Sequence, residues 1–115
     1  MRCVVNESPY SAETPEGIAL NIQYAKQAMH DCLRRGEAPF ASHLLYTQVG
    51  LLRDDLLLER ARGIECNLRW LRKADAVVVY GDYGITSGMW EAITLAKHLG
   101  VPVENRLLGG SNASS

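Results

Sequence analysis

The chain has no surplus of either charge: 12 Lys and Arg stand against 13 Asp and Glu, for a net charge of −1. With neither a basic stripe nor a polybasic patch, polymeric nucleic acid and anionic membrane surfaces are not expected partners. No run approaches the roughly 18 apolar residues of a membrane span, and the first residues read as a strand rather than a secretion signal. A soluble, cytoplasmic protein is expected. Cysteine is sparse and odd in number. Cys3, Cys32 and Cys66 all fall in apolar, periodic segments, as free thiols packed like small hydrophobes in a reducing compartment. No spacing of His, Cys and Asp suggests a metal site, and no cofactor is expected. At 115 residues the chain suffices for one core but is short for an enzyme enclosing a substrate alone. That points to a homo-oligomer, a dimer or higher.

What the sequence does have is alternation. Cys3-Val4-Val5 reads as a short buried strand closed by Asn6, Glu7, Ser8 and Pro9. Thr14 and Pro15 supply an N-cap and a first-turn proline, and Ile18, Ile22, Ala25, Met29, Cys32 and Leu33 follow at helical spacing as far as Gly36. Ala38 to Ala41 is a brief second strand leading to Ser42-His43-Leu44-Leu45-Tyr46, and residues 50–56 form a charged, leucine-rich connection. Leu57, Ala61, Ile64, Leu68 and Leu71 mark another helix before the strand Ala76 to Tyr80. A final helix with the stripe Met89, Ala92, Ile93, Ala96 and Leu99 returns to a strand at Val101-Pro102-Val103. This order predicts a single Rossmann-like or flavodoxin-like α/β domain over residues 1–108, a parallel sheet of four to five strands with helices on both faces. Residues 109–115, rich in Gly, Ser and Asn, are expected to be a disordered or appended tail; the glycosylation triplet at Asn112 is discounted in a chain that is not exported.

In a parallel sheet, ligands bind beyond the carboxyl ends of the strands, and a helix opening there attracts anions with its free N–H groups. Three strand ends are expected to meet at that edge. They carry Ser8, Pro9, Tyr10 and Ser11; Phe40, Ser42 and His43; and Gly81, Asp82 and Tyr83 with Thr86, Ser87, Gly88 and Met89. Small residues admit a ligand close to the backbone, hydroxyls bind its oxygens, and Tyr10, Phe40 and Tyr83 offer faces to a flat ring. The set suits a nucleotide-type small molecule. Against it stand an ordinary Ser-Pro-Tyr turn, a core Phe40 and a Ser87 that only caps a helix.

Ser8-Pro9-Tyr10, the helix bearing Asn21, Pro39-Phe40-Ala41-Ser42-His43-Leu44, the Trp70-Leu71 approach to Ala74-Asp75 and a valine-rich strand, and the Ser87-Gly88-Met89 helix start together resemble the nucleoside 2-deoxyribosyltransferase superfamily. The likeness covers the chain to about Leu108 and is nearest the small bacterial and phage branch, mostly of unknown function. It implies oligomers with shared sites and cleavage or exchange of N-glycosidic bonds, with one carboxylate attacking the anomeric carbon and a second acid helping the base depart. The family's G-x-x-x-E nucleophile position, counted from Gly88, is Ala92. Glu91 is one residue earlier, about 100° away around the helix and off its apolar stripe. The second acid's position is Asn67, whose amide can bond a ribose hydroxyl but cannot release a proton near neutrality.

These residues imply capture of a nucleotide without turnover. The ligand on this reading is an ADP-ribose-derived or cyclic-nucleotide immune signal, held by a phage-type anti-defence protein in the host cytoplasm. The alternative is a nucleoside or nucleotide N-glycosidase or deoxyribosyltransferase with Glu91 as catalytic nucleophile and Asp82 or His43 as proton donor. A third reading is an interaction module whose contact surface is Leu51, Leu52 and Leu56 to Leu58. Asp54, Asp55, Glu59 and Arg60 read as a solvated cluster, or as a family-like loop over the site.

Overall fold

The computed structural model describes residues 1–109. Within them, β1 (Cys3–Glu7), α1 (Pro15–Arg34), β2 (Ala38–Phe40), the one-turn α2 (Ser42–Leu45), α3 (Leu57–Leu71), β3 (Ala76–Tyr80), α4 (Ser87–Leu99) and β4 (Val103–Arg106) follow in order. The strands form one parallel sheet in the order β2-β1-β3-β4. Central β3 has every residue buried, as its unbroken β-branched run requires. Pro39 lies on β2, at the sheet edge, where a missing N–H is tolerated.

The two sheet faces have separate cores, because successive side chains alternate. Val5, Val77 and Val79 pack with Leu71 of α3 and Met89, Ala92, Ile93 and Ala96 of α4. Val4, Ala76, Val78 and Tyr80 pack with Tyr24, Ala28 and Cys32 of α1. The helices thus cover both faces. Order 2-1-3 reverses the winding direction beside β1, so a crevice opens between the carboxyl ends of β1 and β3.

Several boundaries differ from the sequence reading. β1 runs on through Asn6 and Glu7, which pair in register with Val78 and Val79, so Glu7 belongs to the strand rather than its closing turn. β4 begins at Val103 rather than Val101. Gly100 ends α4 in the left-handed region at φ 77°, and Val101 N–H donates to Ala96 O, which keeps Val101 at the helix terminus. The buried face of α1 includes Tyr24, Ala28 and Asp31, while Leu33 is exposed; the polar tips of Tyr24 and Asp31 find partners that permit burial. Cys3 is exposed rather than packed. Of the expected tail, Gly109 N–H is bonded to Asp82 and residues 110–115 lie outside the described part. No helix among the described residues is long and apolar enough to cross a membrane.

Candidate functional site

The crevice beside β1 holds a cavity of about 150 Å³. Its floor is built by strand alternation: Val5 and Glu7 share a face, so once Val5 enters the α3/α4 core, Glu7 must turn inward at the strand end. Glu7 is 7% exposed, as is Asn67 of α3, whose Nδ2 donates to Glu7 Oε2 at 2.6 Å. Burial pushes the Glu7 carboxyl up to about 7, only partly offset by the Asn67 bond. Asn67 Oδ1 is buried without a partner among the described residues.

Around this floor stand the walls. Ser8 Oγ shares a 2.8 Å hydrogen bond with His43 Nε2, and the His43 ring lies edge-on to Tyr10. Burial holds His43 down at about 4, so the ring is neutral at pH 7. Asn21 donates to the carbonyls of Tyr10 and Ser11, bracing the wall from behind. Opposite lies the start of α4. Thr86, rather than Ser87, is its cap: Thr86 Oγ1 accepts from Met89 N–H and Thr86 O from Trp90 N–H. The N–H groups of Ser87 and Gly88, too early in the helix for an intrahelical acceptor, are left beside the cavity. Asp54, Glu59 and Arg60 also line it, so part of the charged cluster does reach the site. A wider groove of about 840 Å³ continues from it, between the start of α1 and the 47–55 segment. Among the described residues, no three His, Cys, Asp or Glu are grouped to hold a metal ion.

Of the residues singled out in the sequence, Ser8, Tyr10, Ser11, Ser42, His43, Asn67, Thr86, Ser87, Gly88 and Met89 line this one cavity. Pro9, Asn21, Phe40, Gly81, Asp82 and Tyr83 are not in its lining. Phe40 packs against Tyr46 and Trp70. Asp82 is a structural clasp: it accepts from Tyr24 Oη at 2.5 Å and from the N–H groups of Leu108 and Gly109, tying α1 to the chain beyond β4. Tyr83 packs at a tilt against Tyr24 and is otherwise exposed. Glu91 is exposed on α4, outside the cavity. The sequence reading missed Glu7, although the i, i+2 relation to Val5 could have found it. It also missed Tyr46, Thr47, Leu52, Gly63, Ile64 and Leu68, brought in by packing of α2 against α3.

Comparison with known proteins bears on the fold. The structure matches a 2-deoxyribosyltransferase from the psychrotolerant bacterium Bacillus psychrosaccharolyticus with a TM-score of 0.64 at 19% identity, over 94% of this chain and 74% of that one. The chain has the nucleoside 2-deoxyribosyltransferase-like fold. Among curated proteins none matches. The family described as a domain of unknown function, DUF7768, matches residues 2–106, and this protein belongs to it.

Proposed function

We propose that the protein binds a nucleotide-type small molecule and holds it without turnover, with one ring in the cavity and the remainder in the adjoining groove. The observation that carries this reading is the composition of the cavity and its mouth. A volume of about 150 Å³ takes a single benzene-sized ring, two helix N–H groups and Arg60 are available to an anionic substituent, and Glu91 is turned to solvent. A two-part ligand such as an ADP-ribose derivative fits this division, and sequestration of an immune signal of that kind is the role assigned here. The structural relative, a deoxyribosyltransferase, supports a nucleoside-related ligand.

A second reading is favoured by one observation: a buried carboxyl, that of Glu7, does face the cavity. Held near neutral pH in its titration, it could serve as the acid or base of N-glycosidic cleavage in place of Glu91. Incubation with a nucleotide panel, followed by chromatography of the heat-released fraction and the supernatant, separates the two. Intact ligand is the expected result. Free base, lost in Glu7→Gln and retained in Glu91→Gln, would establish the enzyme instead.

Gly88→Leu is expected to weaken binding at least tenfold by filling the cavity beside the helix start. A Cβ there meets nothing nearer than Thr86 Oγ1 at 4.0 Å, so the fold should tolerate the change. Unaltered affinity in a titration would place the ligand elsewhere.

The exposed apolar residues Leu57 and Leu58, 82% and 84% exposed, are assigned to a contact between copies of the chain. Light scattering should find a dimer or larger species, shifted toward the monomer by Leu57→Lys with Leu58→Lys; a monomeric parent protein would remove this assignment.

A further inference from the structure

The floor of the cavity carries an imbalance that bears on which part of a ligand it takes. Glu7 presents two carboxyl oxygens, of which Oε2 receives Asn67 Nδ2. Asn67 Oδ1 is buried with no donor among the described residues. Both side chains are more than nine-tenths buried and both face the cavity. A buried acceptor without a donor is costly, so the floor calls for a ligand group that donates. A fully ionised phosphate offers the floor no proton and would be repelled by Glu7, so its place is beside Arg60 and the start of α4 rather than at the floor.

Two kinds of nucleotide edge can donate. A base edge with two coplanar N–H groups would pair with both oxygens of the Glu7 carboxylate and leave the buried Asn67 Oδ1 still without a donor. Sugar hydroxyls are both donors and acceptors. One can donate to Glu7 and a neighbour to Asn67 Oδ1, while their lone pairs accept from Asn67 Nδ2 or the Ser87 and Gly88 N–H groups.

We infer that Glu7 and Asn67 form a sugar-hydroxyl subsite that selects a ribose cis-diol over 2′-deoxyribose, with Glu7 acting as a binding and specificity residue. This rests on the nucleotide-binding reading above and adds the identity of its recognition group. A site built to bond a hydroxyl rejects the analogue lacking it because its own buried polar atoms are then left unpaired.

The test is isothermal titration of the full chain with ribonucleoside 5′-monophosphates and their 2′-deoxy counterparts, on the parent protein, Glu7→Gln and Asn67→Ala. For each base, the ribonucleotide should bind at least tenfold more tightly to the parent protein. Glu7→Gln and Asn67→Ala should reduce that ratio to below about threefold, by weakening the ribonucleotide and leaving the deoxynucleotide unchanged. Equal affinity for the two sugars in the parent protein overturns the assignment while leaving nucleotide capture in place, as does a preference for one base whatever the sugar. An undiminished ratio in Glu7→Gln removes Glu7 from the subsite. Binding of neither series removes the nucleotide reading and this subsite with it. The parent comparison needs no variant to fold.

Discussion

Glu7→Gln is expected to stabilise the protein at pH 8 by on the order of 2–3 kcal/mol and to leave it nearly unchanged at pH 5. The carboxyl rises from 4.5 to about 7 because folding takes it out of water. Between those values the folded state binds more protons than the unfolded state, so stability falls as pH rises through that window. Above it the native state holds a buried charge supported by only one strong hydrogen bond, from Asn67. Glutamine removes the charge and can still accept that bond. His43 works in the opposite sense. Its ring is lowered from 6.5 to about 4, so the unfolded state takes up the proton first and stability is lost as pH falls through that range. From about pH 6.5 to 4.5 the two contributions offset each other, and the parent protein should have a nearly flat profile there. The variant should lose stability steadily over the same range, with the His43 contribution exposed. Thermal or urea denaturation across pH 4.5–8 measures both features; a variant destabilised equally at pH 5 and pH 8 would mean that Glu7 is ordinarily ionised and well solvated.

Arg106→Leu should cost about 3–5 kcal/mol, the largest single loss anticipated in the molecule. Arg106 makes a two-pronged contact with Glu37 at 2.8 and 2.7 Å, bonds Tyr80 Oη at 3.2 Å, and reaches Glu104 at 3.0 Å. Arg106 and Glu37 are both buried. Tyr80 Oη donates onward to Asp31, which also binds Arg34 and Arg35. The chain of contacts thus links the end of β4 to the α1–β2 connection across the α1 side of the sheet. Removing the guanidinium leaves Glu37 buried with only the half-exposed Arg2 as partner. Arg106, and after it Arg2, holds the Glu37 carboxyl down at about 2, so its contribution is complete above about pH 4.5 and is lost as pH falls toward 2. In Arg106→Leu that acid-sensitive contribution shrinks. Adding Glu37→Leu should recover more than half of the loss in urea midpoints, because the stranded charge leaves with its partner. A double variant as unstable as the single one would show that packing of the Arg106 stem, rather than charge pairing, dominates.

Much of the architecture could be read directly along the chain. Ala76 to Tyr80 are buried on both faces and need no polar compensation, so their composition alone marks a central strand. Thr14 with Pro15, the glycines at 36 and 100, and the Met89, Ala92, Ile93, Ala96 stripe mark helix ends and a buried face through local geometry. The Ser8, His43 and Ser87 groups were likewise foreseeable, since each follows a strand in a parallel sheet and strand ends share one edge.

The polar interior was not. An acidic residue at a strand end reads as the start of a turn; alternation from Val5 sets the face that Glu7 takes, but the partner that lets it stay buried there is Asn67, sixty positions away. Asp82 has the composition of a ligand loop, yet Tyr24 and the backbone at Leu108 and Gly109 claim its oxygens. Local sequence thus determined the α/β alternation, the parallel sheet and the edge where the cavity opens, since backbone sterics and apolar periodicity act over a few residues. Tertiary structure alone decided which carboxyl finds a partner beside the cavity, which one fastens the fold and which one points to solvent. Burying a polar group depends on partners that only the folded chain brings within reach.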